Sequence, residues 1–256
     1  MGARGGKTVY GAAVGILMLD TRFPRIPGDI GHAATWPFPV LYRVVRDASP
    51  DQVVRRRVAG LLPAFIAAAR DLVADGADGI TTNCGFLALI QRQLAEAVGV
   101  PVAASSLMQV PSVQAILPPG QTPGIITISS DTLSEDHFSA CGVPPDTPTV
   151  GTEGGREFSR AILNDEPELD VALAREDVLD AGRRLLHDHP RVGAVVLECT
   201  NMTPYAADLR AELGLPVFGI YSFVQWFQAG LLPRAFAGSI GDPRPTRPSS
   251  DTQHSH

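Results

Sequence analysis

Two short segments concentrate the reactive chemistry of this chain: Thr82-Asn83-Cys84-Gly85-Phe86 and Glu198-Cys199-Thr200-Asn201-Met202. In each, an apolar run gives way to a thiol bracketed by amide, hydroxyl or carboxylate side chains, a setting that suits a polar ligand better than a core. A thiolate is both a base and a nucleophile. If each cysteine opens a helix, the unpaired N–H groups there favour the thiolate and can hold a carboxylate. Both thiol pKa values are therefore expected to fall towards the working pH. Two such thiols on opposite sides of one carbon would let one remove a proton while the other delivers one, inverting the centre. The same N–H groups lie where enolate charge would develop. Cys141, followed by Gly142, Val143 and two prolines, lacks polar neighbours of this kind and reads as a core residue.

The elements that must carry these thiols repeat. Shifting Gly79-Ile80-Thr81-Thr82-Asn83-Cys84 by 115 residues lays it on Ala194-Val195-Val196-Leu197-Glu198-Cys199. In the same register Leu87, Ile90, Leu94 and Val98 fall on Met202, Tyr205, Leu209 and Leu213, and Gly99, Pro101 and Val102 fall on Gly214, Pro216 and Val217. Gly15-Ile16-Leu17 matches Gly124-Ile125-Ile126 as the opening strand of each half. Strands are expected at Val14–Leu19, Gly79–Thr82, 102–104, 124–128, 194–197 and 217–220, separated by helix-length amphipathic segments. The first long helix is expected to start at a capping box formed by Ser49 and Gln52, with Pro50 in its first turn. Its buried stripe would be Val54, Val58, Leu61, Phe65, Ala68 and Leu72, with a kink at Pro63. The neighbouring Arg55, Arg56 and Arg57 point in three directions and read as a solvated face.

The fold class implied is α/β: two pseudo-symmetric lobes, each a mostly parallel sheet flanked by helices, with the active site in the cleft between them. The first lobe would comprise residues 10–104 plus 217–236 and the second 105–216, with 1–9 and 237–256 as disordered ends. Apolar residues make up 45% of the 256 positions, enough for a buried core, and the net charge of −6 argues against nucleic acid and anionic membrane partners. The apolar run near the N-terminus is too short to span a bilayer and is followed directly by Asp20, Arg22 and Pro24, so a cytoplasmic chain is expected. Three cysteines without a CxxC spacing suggest neither a disulfide framework nor a zinc site, and no metal is expected. His32 is a candidate third proton-transfer group, His187 and His189 read as surface residues, and Trp36, Phe38 and Tyr42 line either a pocket or the core.

The paired cysteine segments resemble the aspartate/glutamate racemase superfamily, over roughly residues 10–236. The resemblance implies that Cys84 and Cys199 are the acid/base thiols, that no cofactor is needed, and that Asn83, Gly85, Thr200 and Asn201 lie at a small-molecule carboxylate substrate. It extends to Ser129 and Thr132, in a segment similar to the family's threonine-x-x-threonine element, as carboxylate contacts. Asp20 is similar to the acidic residue that ends the first strand in glutamate racemases. Asn201 stands where those enzymes usually carry a histidine, and residues 28–40 do not match their glycine-rich loop. Members of the superfamily commonly form homodimers. Two intact thiols imply an isomerase, a racemase or epimerase acting on an aspartate- or glutamate-like compound. The alternatives are an arylmalonate-type decarboxylase, a maleate-type cis-trans isomerase, or, in another class, a two-lobed protein that only binds a small carboxylate.

Overall fold

The computed structural model describes residues 4–236. Two four-stranded sheets share one topology. In the first, β1 (Val14–Leu19), β2 (Val40–Val45), β3 (Gly79–Thr82) and β4 (Val102–Ala103) are ordered β2-β1-β3-β4. In the second, β5 (Thr122–Thr127), β6 (Thr149–Gly151), β7 (Val192–Leu197) and β8 (Val217–Phe218) are ordered β6-β5-β7-β8. All six strand pairs are parallel. The central strands β1, β3 and β7 are buried along their whole length, as parallel strands covered on both faces must be.

The repeat extends to the register. Gly15 faces Ile80 across β1 and β3, and Gly124 faces Val195 across β5 and β7; Ile80 then faces Val102, and Val195 faces Val217. Both halves continue alike: α2 (Gln91–Val98) and α7 (Ala206–Leu213) each end on a left-handed glycine, Gly99 and Gly214.

The helix after each fourth strand crosses over. Helix α3 (Val110–Ile116) buries Val110 and Val113 with Ile125, Ala194 and Val196 of the second sheet. Helix α8 (Ile220–Leu231) buries Ile220, Phe223, Val224 and Phe227 with Val14, Ile16 and Met18 of the first. The approach of α8 is so close that a Cβ on Gly79 would lie 2.6 Å from Phe227 and from Leu231. Val217–Phe218 pairs with β7, so the crossing begins with the helix, one element later than a boundary at residue 217. Neither is the stretch ahead of β1 wholly loose: Val9 donates its N–H to Asp75 and Lys7 bonds the carbonyl of Gly76. The expected disordered ends at 1–3 and 237–256 lie outside the described residues.

The first long helix differs most from expectation. The capping box is present, with reciprocal bonds between Ser49 and Gln52, but the helix does not run through. A π-helical turn at Asp51–Arg55 ends in an irregular stretch in which Arg57, Val58 and Gly60 have φ of 53°, 60° and 75°. Helix α1 (Leu62–Asp75) then starts afresh, with Pro63 in its first turn. Proline lacks an N–H and its ring collides with the carbonyl four residues back, so here it opens a helix and breaks the preceding one. The expected stripe is nonetheless buried at Val54, Val58, Phe65, Ala68 and Leu72. Arg55, Arg56 and Arg57 are all exposed as expected, and Arg57 in addition bonds Ser134 and Asp136 at α4 (Glu135–Cys141) of the second lobe. Among the described residues, no helix is long and apolar enough to cross a membrane.

Candidate active site

Both thiols stand where the repeat puts them, one residue before a six-residue 3-10 turn at the carboxyl end of a strand. Cys84 caps Gly85–Ile90 after β3, and Cys199 caps Thr200–Tyr205 after β7. Both have extended backbones and both line one narrow, largely apolar cavity between the lobes. Leu19, Phe23, Val54 and Phe86 wall it from the first lobe, and Ile128, Ile162 and Leu163 from the second. The last two belong to α5 (Phe158–Leu163), which packs on α6 (Val171–Asp188).

The lobes are bolted together at the cysteine turns. Thr200 Oγ1 donates to the Asn83 carbonyl at 2.6 Å across the cleft, while within the second lobe Ser106 Oγ donates to the Leu197 carbonyl at 2.6 Å. Asn83 is fixed within its own lobe, accepting from Leu19 N–H at 2.8 Å. Glu198 is fully buried; Oε2 accepts from Thr127 Oγ1 at 2.7 Å, while Oε1 has no hydrogen-bond partner. That carboxylate presses on the opposite turn, since a Cβ on Gly85 would fall 2.1 Å from Glu198 Oε1.

A second cross-lobe chain starts at Cys199, whose thiol donates to Asn201 Oδ1 at 3.6 Å. Asn201 Nδ2 donates to Asp29 Oδ2 at 2.5 Å. The other oxygen of Asp29 accepts from Arg25 Nη1 at 2.8 Å and from Gly31 N–H at 2.7 Å. Asp29 and Arg25 lie in the long connection from β1 to β2, which reaches over the cleft.

Burial overturns the expected activation of the thiols. Backbone N–H groups of Phe86 and Leu87 favour the Cys84 thiolate, and that of Asn201 favours the Cys199 thiolate. Desolvation outweighs them, reinforced by the negative charge of Glu198: Cys84 is pushed up to about 12 and Cys199 well above its ordinary value. Glu198 itself is raised to about 7 by burial, against the pull of its bond from Thr127. With no substrate bound, both cysteines are thiols at neutral pH.

Of the other expected site residues, Gly85 and Asn201 line the cavity with Asn83. Thr200 spends its hydroxyl on the inter-lobe bond. Ser129 follows Ile128 directly and Thr132 lies in the next turn, where its hydroxyl bonds the Ser129 carbonyl, and neither lines the cavity. Asp20 turns outward to Arg46 at 3.4 Å. His32 caps a short turn through Nδ1 and stands away from the thiols. Trp36 stacks between Phe38 and Tyr221, and Tyr42 bonds the Ile30 carbonyl, so these aromatics are packing. Cys141 is buried in the core of the second sheet. The residues that sequence reasoning passed over are Glu198, Arg25 and Asp29. The repeat does carry a signal for Glu198, which falls on Asn83, whereas nothing in the pattern of residues 28–40 marks Asp29.

No family model matches the chain. Among curated proteins, a dimethylsulfoniopropionate lyase of Durusdinium sp. clade D is 27% identical over 229 residues, covering 86% of this chain and 75% of its own length. Dimethylsulfoniopropionate lyase 3 of Emiliania huxleyi is 30% identical over 228 residues, covering 80% of this chain and 56% of its own length. Among solved structures, allantoin racemase from Klebsiella pneumoniae superposes with a TM-score of 0.63 at 19% identity, over 85% of this chain and 88% of that one. A variant of arylmalonate decarboxylase superposes with a TM-score of 0.58 at 15% identity, over 85% and 92%. These structures share the fold. The sequence relatives correct the expected chemistry, because they are named as lyases and the isomerase reading does not survive them.

Proposed function

We propose that this chain, whose fold is that of the aspartate/glutamate racemase superfamily, is a lyase that eliminates a sulfide from a β-sulfonio carboxylate such as dimethylsulfoniopropionate. The observation that carries the reading is the charge at the thiols. Glu198 is buried there without a cationic partner among the described residues, while Arg25, the nearby cation, is already held by Asp29. A cavity with two thiols, apolar walls and a buried Glu198 carboxyl raised to about 7 for want of a cation favours a ligand that brings its own positive charge, which would hold Glu198 ionised.

Such a substrate also addresses the raised thiol pKa values. A sulfonium beside a thiol favours the thiolate, so the base forms when the substrate is seated. The thiolate takes the proton from the carbon next to the carboxylate. The C–H electron pair becomes the new double bond, the C–S bond breaks, and the sulfide departs neutral, leaving acrylate and a thiol. Backbone N–H groups at Phe86, Leu87 and Asn201 are the donors available to the charge that builds on the substrate carboxylate. The walls formed by Phe23, Phe86 and Ile162 exclude water around the leaving group.

The test is direct. Purified protein is incubated with dimethylsulfoniopropionate, headspace dimethyl sulfide is measured by gas chromatography, and acrylate is measured by proton NMR. Stoichiometric release of both is expected; release of neither would overturn the reading.

A further inference from the structure

We propose that Asn201, locked by Asp29 of the opposite lobe, is a positioning residue that holds Cys199 as a hydrogen-bond-donating thiol, leaving Cys84 to serve as the base. The inference rests on the lyase reading for its catalytic meaning and on geometry for its substance. Asp29 is 2% exposed and its carboxylate can only accept. It therefore obliges the Asn201 amide to present Nδ2 at 2.5 Å, which turns Oδ1 towards Cys199 at 3.6 Å. An amide oxygen facing sulfur rewards S–H and repels S⁻.

The lock is well built. Asp29 accepts from Arg25 and from the Gly31 N–H, Arg25 is held in turn by Thr21 Oγ1 at 3.0 Å, and its guanidinium lies 4.7 Å over the Phe23 ring. Cys84 has no counterpart. Phe86 occupies the position equivalent to Asn201, and the groups that reach the Cys84 sulfur are backbone N–H donors. The charged and titratable groups acting on Cys199 are Glu198 from its own strand end, Cys84 from the facing turn and Asp29 from the covering loop. All three disfavour its thiolate, with the Asn201 backbone N–H as the opposing pull. In the elimination, Cys199 would stay a neutral thiol, its one proton held by Asn201 Oδ1, while Cys84 takes the proton from the substrate.

The experiment reads each thiol separately: iodoacetamide labelling at pH 7.5 followed by peptide mass spectrometry, on the intact protein. In Asp29→Asn the amide of Asn201 is free to turn its Nδ2 towards sulfur. Labelling of Cys199 is expected to rise about tenfold, with Cys84 changed by less than about twofold. Asn201→Ala, which removes the acceptor, should raise Cys199 labelling as well. An equal rise at both cysteines would mean that the cavity had merely opened, and an unchanged Cys199 rate in variants that melt like the parent would overturn the lock. Because labelling needs no turnover, either outcome stands apart from the success of the dimethylsulfoniopropionate assay.

Discussion

The turns that carry Cys84 and Cys199 are the same piece of backbone used twice, and their side chains have diverged. Each follows a buried strand, opens a six-residue 3-10 turn and leads into an eight-residue helix ended by a left-handed glycine. At equivalent positions, however, Asn83 answers Glu198, Gly85 answers Thr200 and Phe86 answers Asn201. The first turn is apolar beyond its cysteine, with Gly85 followed by Phe86 and Leu87. The second sends three polar side chains into the other lobe: Glu198 over Gly85, Thr200 to the Asn83 carbonyl, and Asn201 to Asp29. Inversion of a carbon in both directions needs two thiols that can exchange roles, and equivalent surroundings would serve it. Elimination needs one proton removed and none returned to the opposite face, so it tolerates, and can use, unequal surroundings.

The largest effect should come from the thiols themselves. Cys84→Ser is expected to lower elimination by about a thousandfold or more, as loss of a positioned base does; Cys199→Ser should fall less, because a hydroxyl still donates a hydrogen bond. Dimethyl sulfide release by the two variants measures the difference, and equal losses would remove the division of labour. The pH profile sharpens the same point. In the proposed elimination the base is the deprotonated thiol, and Cys84 is raised to about 12 in the free protein. The rate constant kcat/KM should therefore climb with pH across the neutral and mildly alkaline range, about tenfold per pH unit, without an early plateau. The sign for stability is opposite. A thiol whose pKa is raised on folding favours the folded state less as pH rises above its ordinary value near 9, so thermal stability should decline there.

Next in size is Gly85→Ala. The added methyl would meet Glu198 Oε1 at 2.1 Å and the Glu198 carbonyl at 2.5 Å. Overpacking of this kind costs about 1–3 kcal/mol, read as a fall of several degrees in Tm, with loss of activity because Cys84 is the adjacent residue. The equivalent residue of the other turn, Thr200, carries its side chain without conflict because the Asn83 carbonyl accepts its hydroxyl.

These asymmetries mark the limit of what the sequence discloses. The repeat was legible because strand burial, the cysteine and the terminal glycine recur at one spacing, and the register of both sheets follows it. Strands β2 and β6 were not, since Val40–Val45 follows a proline-broken loop with mixed burial and Thr149–Gly151 is too short for a pattern. The break before α1 was half legible: Pro63 signals an interruption, but not that Arg57 and Val58 would take left-handed backbones. The thiols could be found in sequence and their environment could not. Helix-end N–H groups are local, and the desolvation that overrides them depends on the opposite lobe, as does every contact of Asp29 with Asn201.

Thr200→Val probes whether the inter-lobe bolt is energetic or merely present. The substitution keeps the volume and removes the donor to the Asn83 carbonyl, leaving a buried acceptor short of one partner. A cost of about 1–3 kcal/mol is expected, seen in chemical denaturation. The matching change in the first turn cannot be made, because Gly85 has no side chain to lose.

The smallest effect tests the rim of the cleft. Asp165, at φ 54°, accepts from the N–H groups of Arg22 and Phe23, at 2.6 and 3.3 Å, and pairs with the Arg22 guanidinium at 3.3 Å. The Arg22 side chain is 72% exposed, so the ion pair is screened and contributes about 0.5 kcal/mol or less. The backbone bonds do not need that side chain, and they are what hold Phe23 against the cavity. Arg22→Ala should therefore change kcat/KM less than about twofold, whereas Asp165→Ala, which removes the acceptor, should raise KM by several-fold. Equal effects of the two would mean that the exposed ion pair, and not the backbone clasp, keeps Phe23 in place.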